Sequence, residues 1–285
     1  MTAAMTNPTP NNTEPTDVRT MPKTKHVTIY ILYLSLIVLI ASACSDSESR
    51  ELRLIHASPD SPALDVYLAG DSTPIFEDIS YGETSEYESL DFGIADFEIR
   101  PAGAPSDSEP LFTQEDIVLD TDGQLTGIIA GLTGSSTPGD RARLELFPEN
   151  FDTVQPDVAR VRLIHASPDA PTIAIDVNDD GTREIGELTR FSSTEEAGIE
   201  VPADMPLNIG IWAGEPLERI TTFTVPALSE GQELFVVASG EIDRLPREEA
   251  GFSLLVVGPS GDPTIVKQNP ALMVLHGIPD APAVD

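Results

Sequence analysis

One nine-residue stretch dominates the chain by recurring. Leu54-Ile55-His56-Ala57-Ser58-Pro59-Asp60-Ser61-Pro62 returns as Leu163-Ile164-His165-Ala166-Ser167-Pro168-Asp169-Ala170-Pro171, and begins again as Val274-Leu275-His276-Gly277-Ile278-Pro279-Asp280-Ala281-Pro282. The three histidines are spaced by 109 and 111 residues. A fixed period the size of a small domain predicts an array of like units. Each copy runs an apolar stretch into a turn bounded by two prolines, and prolines so placed cannot continue a strand ladder.

The units read as strands throughout. In the first, Arg53–Ala57, Leu64–Leu68, Pro74–Ile79, Phe97–Arg100, Ile117–Leu119, Leu125–Leu132 and Arg143–Phe147 are apolar or alternating runs separated by turn residues. The second retraces them in order: Ala159–His165, Asn208–Trp212, Leu234–Ala238 and Phe252–Val257. Short strands with a turn every eight to twelve residues predict an all-β fold, here tandem antiparallel immunoglobulin-like β-sandwiches. The expected layout is an N-terminal extension and signal at 1–43, a tether at 44–51, sandwiches at 52–151 and 158–268, and the start of a third repeat at 271–285. The linker 150–157 is short, which predicts two sandwiches in a semi-rigid rod.

Lys23 and Lys25 precede an apolar run from Val27 to Ile40, closed by Ala41-Ser42-Ala43 and then Cys44, the only cysteine. These are the parts of a secretory signal. The junction resembles the lipobox of bacterial lipoproteins, with Ala41 where that family usually has Leu. The resemblance implies lipid attachment at Cys44 and export. Ser45 in place of Asp implies the outer membrane in a Gram-negative host, hence a periplasmic or cell-surface location. The net charge of -32 argues against nucleic acid as a partner. The expected partners are the membrane, through the lipid, and a surface protein or polysaccharide.

The His-Ala-Ser-Pro-Asp-Ala-Pro motif, the Asp-Val strand after it and Arg100-Pro101-Ala102-Gly103 are similar to the bacterial domain-of-unknown-function family 4397. The resemblance spans residues 52–285 and implies an exported tandem β protein without implying an activity. The second repeat departs from the first by a two-residue insertion before Asp176, and by Trp212 where Arg100-Pro101 stands.

Three features could carry chemistry. His56, Pro59 and Asp60, with His165, Pro168 and Asp169 and with His276, Pro279 and Asp280, suggest a metal site or a His–Asp pair. Strand parity and repetition in every unit favour a structural role. Asp176-Val177-Asn178-Asp179-Asp180-Gly181-Thr182 followed by Glu187 satisfies a calcium-loop pattern, with Asp176, Asn178, Asp180, Thr182 and Glu187 as ligands. No other cofactor is expected. Trp212 and the tyrosines Tyr67, Tyr81 and Tyr87 read as sandwich core. The function expected is a non-catalytic binding, adhesion or envelope-structural module. The alternatives are a calcium-stabilised spacer and an envelope hydrolase using a His/Asp pair.

Overall fold

The computed structural model describes residues 50–91, 93–119, 123–259 and 263–270. The signal segment, Cys44, most of the tether and the third motif with His276, Pro279 and Asp280 lie outside the described residues. Seventeen strands are described and no helix among them. In chain order the first unit contains β1 (Arg50–Ala57), β2 (Leu64–Leu68), β3 (Phe76–Ile79), β4 (Glu88–Leu90), β5 (Gly93–Pro101), β6 (Phe112–Leu119), β7 (Gln124–Ala130) and β8 (Arg143–Pro148). The second contains β9 (Val158–His165), β10 (Ile173–Asp176), β11 (Ile185–Leu188), β12 (Ile199–Pro202), β13 (Leu207–Ala213), β14 (Glu218–Val225), β15 (Glu233–Ser239), β16 (Ser253–Val257) and β17 (Thr264–Lys267).

Each unit is a pair of sheets. The first has the orders β4-β1-β7-β8 and β3-β2-β5-β6; the second has β12-β9-β15-β16-β17 and β11-β10-β13-β14. Alternate apolar residues of both sheets close over a core: Leu52, Leu54, Val66, Phe97 and Ile129 in the first, Val161, Ile175, Ile211, Phe223 and Leu254 in the second. Pairing is antiparallel except that β1 runs parallel to β7 and β9 parallel to β15. The first strand of each unit thus sits inside its sheet, beside a strand that arrives some seventy residues later.

The repeats do not form a rod. The faces of β1, β7 and β8 that point away from the first core pack on the matching faces of β9, β15 and β16. A third buried cluster results, with Ile55, Ile128 and Phe147 from one unit and Ile164, Phe235, Val237 and Leu255 from the other. The two sandwiches accordingly fall within one compact unit. Each sheet in this middle layer is buried on both faces, which is why its strands read as continuous apolar runs (Leu125–Ala130, Leu234–Ala238) and not as alternation.

The pairing registers also align the repeats. Leu64 opposes Ile79 as Ile173 opposes Leu188, and Val66 opposes Ile99 as Ile175 opposes Ile211. Eight residues separate His from the first of these in both units. There is therefore no insertion before Asp176. That residue stands where Tyr67 stands in the first repeat, and Ala174 takes the place of Asp65. The two extra residues enter later, between Thr194 and Val201, because Leu54 binds Ser85 as Leu163 binds Thr194 while Leu90 answers Val201.

Candidate functional site

The parity of β1 turns Leu52, Leu54 and His56 to the first core, and β9 does the same with Val161, Leu163 and His165. Both imidazoles are fully buried. Nε2 lies 3.0 Å from the Pro62 carbonyl in His56 and 3.0 Å from the Pro171 carbonyl in His165. In His56, Nδ1 accepts the Ser58 N–H at 3.2 Å, so the proton belongs on Nε2, which donates to Pro62. Each ring closes its own turn by bonding the last proline of the motif.

The rest of the motif fastens that turn to a second one. Ser58 Oγ donates to the Gly131 carbonyl at 2.7 Å, and Ser167 Oγ to the Gly240 carbonyl at 2.6 Å. The Asp60 carboxylate accepts the Thr133 and Gly134 N–H groups at 2.8 and 2.9 Å. Asp169 likewise accepts Ile242 N–H at 2.9 Å and Asp243 N–H at 3.2 Å. The histidine and the aspartate of each motif therefore serve different backbone partners. Pro59 and Pro168 hold the chain between them in the turn, and the Pro168 carbonyl accepts from Arg190. Present in both repeats with partners at equivalent positions for the serine and the aspartate, the motif clips the end of the first strand to the loop that leaves its parallel neighbour. Gly131 and Gly240, outside the motif, complete the clip. Repeat alignment at 109 residues could have found them.

Burial lowers the pKa of both histidines, against smaller opposing contributions from the proline carbonyls and from Asp60 or Asp169. Folded chain holds the rings neutral, whereas unfolded chain protonates them below about pH 6.5. Their contribution is complete above about pH 6.5 and is lost as pH falls below it. Glu145, whose pKa burial raises, works the other way at lower pH, near the ordinary carboxylate range. Urea midpoints measured from about pH 8 to 5 should decline through this window. His56→Gln with His165→Gln should flatten the decline, and an unflattened profile would assign the acid sensitivity elsewhere.

A second constellation joins the repeats. Arg53, fully enclosed on the outward face of β1, donates through Nη1 to the Gly258 carbonyl of the other repeat at 2.6 Å. Arg162 donates through Nη1 to the Pro148 carbonyl at 2.7 Å. Gly258 and Pro148 are equivalent positions following β16 and ending β8, so the contact is reciprocal, as across a two-fold axis. Arg53 also donates from Nε to Thr126 Oγ1 at 2.9 Å and pairs with Glu149 at 3.3 Å. Its guanidinium lies 5.0 Å from the centre of the Tyr87 ring, and that of Arg162 lies 5.2 Å from Phe147. A burial-dominated rise, reinforced by the hydrogen bond to Glu149, keeps the Tyr87 phenol protonated.

In the loop from Asp176 to Glu187 the aspartates bond within the loop and to a neighbouring strand. The buried Asp176 carboxylate accepts Asp180 N–H at 3.0 Å and Gly181 N–H at 2.7 Å. Asp180 accepts Thr182 N–H at 2.8 Å, and Asp179 holds Arg219 at 2.7 Å. Asn178, Thr182 and Glu187 are exposed. Among the described residues, no group of three or more His, Cys, Asp or Glu side chains is gathered as a candidate metal cluster. The loop is a hairpin connection between β10 and β11, capped by its first aspartate.

Of the four aromatic residues expected in the core, Tyr67 is buried, at 4% exposure, though outside the two sandwich clusters. Trp212 projects from the outer face of β13, half-buried beneath Arg183, whose guanidinium is 5.2 Å from the ring centre. Tyr67 lies on the corresponding outer face, under Arg100 at 5.0 Å. Tyr81 meets His56 edge-on and reaches Ser239 of the second repeat at 3.2 Å. None of the four belongs to a sandwich core cluster. Alternation along β13 places Trp212 opposite to Ile211 and Ala213, the parity that the sequence itself contains.

Two sandwiches, each closed by the same histidine turn and stacked through reciprocal arginines, define the class: a tandem β-sandwich protein with an internal repeat. The family model described as Domain of unknown function (DUF4397) matches residues 50–176. The match covers the first sandwich and continues through the second histidine turn to the end of β10. No curated protein matches the chain.

Proposed function

We propose that the chain is a lipid-anchored, extracytoplasmic module of the bacterial envelope with a non-catalytic role, presenting a rigid acidic surface for binding, adhesion or architecture. The observation that carries the reading is the expenditure of the motif: its histidines and serines are buried, and in both repeats the imidazole Nε2 bonds a proline carbonyl and the serine hydroxyl a glycine carbonyl of the turns. The apolar run before a unique Cys44 supports the anchor. A net charge of -32 on a chain with a single cysteine suits a soluble face held by packing and not by disulfides.

The anchor is tested by feeding an alkyne fatty acid to cells expressing the chain. The label should enter the wild type and vanish in Cys44→Ser, which should leave the membrane fraction. Label retained by Cys44→Ser would end the lipoprotein reading. The structural assignment of the histidines is tested separately in the purified protein by the pH profile given above.

A further inference from the structure

The middle of the second sandwich contains a cavity of about 40 Å³, walled by Val161, Val201, Ile209, Val236, Ala238 and other aliphatic residues. We infer that this cavity is a binding site for a small apolar molecule of a few heavy atoms with no hydrogen-bonding group.

The two repeats show how the space arises. Their strand registers equate Leu52 with Val161, Leu90 with Val201 and Phe97 with Ile209. Each pair becomes smaller in the second unit, and all three replacements line the cavity. Phe76, which faces Val66 in the first unit, is answered by Ile185. At one pair of positions the volume balances: Gly127 and Ile129 become Val236 and Ala238. The aromatic mass of the second core is placed elsewhere, with Phe223 and Phe252 meeting edge-on at 5.7 Å. Neither of these rings lines the cavity.

The sheets cannot collapse into the gap. β9 is held on both sides by β12 and β15, and β13 by β10 and β14. Packed interiors keep such voids because the backbone around them is fixed by its ladders. A space of this size exceeds the roughly 10–15 Å³ that one water requires, yet its aliphatic lining offers water no partner, so it favours an apolar occupant. It is well below the ~150 Å³ of cavities that take benzene, which limits the occupant to a few atoms. Access lies at the edge: Leu163 and Ile199 are only partly buried, and β12 is a four-residue edge strand whose local opening would admit a ligand.

Xenon is the probe. Titrating xenon pressure against methyl-labelled protein should give saturable shifts at Val161, Val201 and Ile209, with Leu52 and Leu90 of the first core unmoved. The double variant Val161→Leu/Val201→Leu, which restores the residues of the first repeat, should lose the saturable shifts and melt at higher temperature. If that variant does not fold, Ile209→Phe serves the same purpose at the third position. Absence of saturable shifts in the wild type overturns the site. So does their persistence in a folded, filled variant.

Discussion

Arg53→Ala should be among the most destabilising single substitutions in the chain, by about 3–5 kcal/mol. The side chain is 2% exposed and carries four relationships at once: the Gly258 carbonyl across the interface, Thr126, Glu149 and the Tyr87 ring. Removing it leaves Glu149, itself nearly enclosed, as a buried charge without its cation. The cost comes chiefly from that buried carboxylate, left with only the Tyr87 and Thr126 hydroxyls, and from the desolvated carbonyl, more than from the Coulomb attraction of the pair. For a domain pair of this size, about 2–4 °C per kcal/mol translates the loss into a melting temperature lowered by roughly 6–20 °C. Glu149→Gln added to Arg53→Ala should recover part of the loss, because it removes the stranded charge. Arg219→Ala provides the contrast: its pair with Asp179 is about half exposed on the arginine side, and its loss should cost about 1 kcal/mol or less. Equal effects of the two substitutions would mean that the buried arginine does not bridge the repeats.

Gly240→Ala should cost about 3 kcal/mol or more. Its φ of +82° is one that a side chain occupies at a penalty of about 1–2 kcal/mol. Beyond strain there is no room: an added Cβ would stand 2.6 Å from the Gly251 carbonyl oxygen and 2.8 Å from that of Ala250. Backbone would have to move where the clip is made, since the Gly240 carbonyl receives the Ser167 hydroxyl. Gly131 is its counterpart, with φ +93° and a Cβ position 2.4 Å from the Arg141 carbonyl oxygen. Gly70→Ala separates strain from crowding, because Gly70 has φ +91° and nothing within 4 Å of an added Cβ. Denaturant unfolding should give the Gly70 variant only the strain penalty. Comparable losses at Gly70 and Gly240 would remove the steric part of the explanation.

Much of the fold was legible in the chain because a strand writes its inner face into alternate residues. Leu52, Leu54 and His56, or Val161, Leu163 and His165, announce one buried face whatever lies on the other side. The proline-bounded turn after each histidine was equally plain. Strands with little apolar content were harder. β4 and β12 are only three and four residues long, and β14 reads as a mixed polar segment whose inward residues include Phe223 and Val225.

The candidate site was legible in its residues and illegible in its bonds. His56 and Asp60 stand four apart in sequence and suggest a pair, yet the imidazole faces Pro62 and the carboxylate faces Thr133 and Gly134. The aspartate loop carried a full ligand pattern. Its spacing did not reveal that Asp176 accepts the N–H groups of its own turn, because side-chain oxygens that cap a hairpin and those that ligate an ion are the same chemical groups.

Sequence alone determined the repeat, the strand content, the buried histidine face and the proline turn, all of which follow from local periodicity and local stereochemistry. Only the tertiary structure decided what the second face of β1 and β9 meets. Arg53 and Arg162 look like solvent-facing charges in a half-buried strand, but each is covered by the other repeat and bonded to its backbone. Periodicity records that a face differs from its opposite. It cannot record which distant surface covers that face, because a guanidinium is satisfied as well by a carbonyl across an interface as by water.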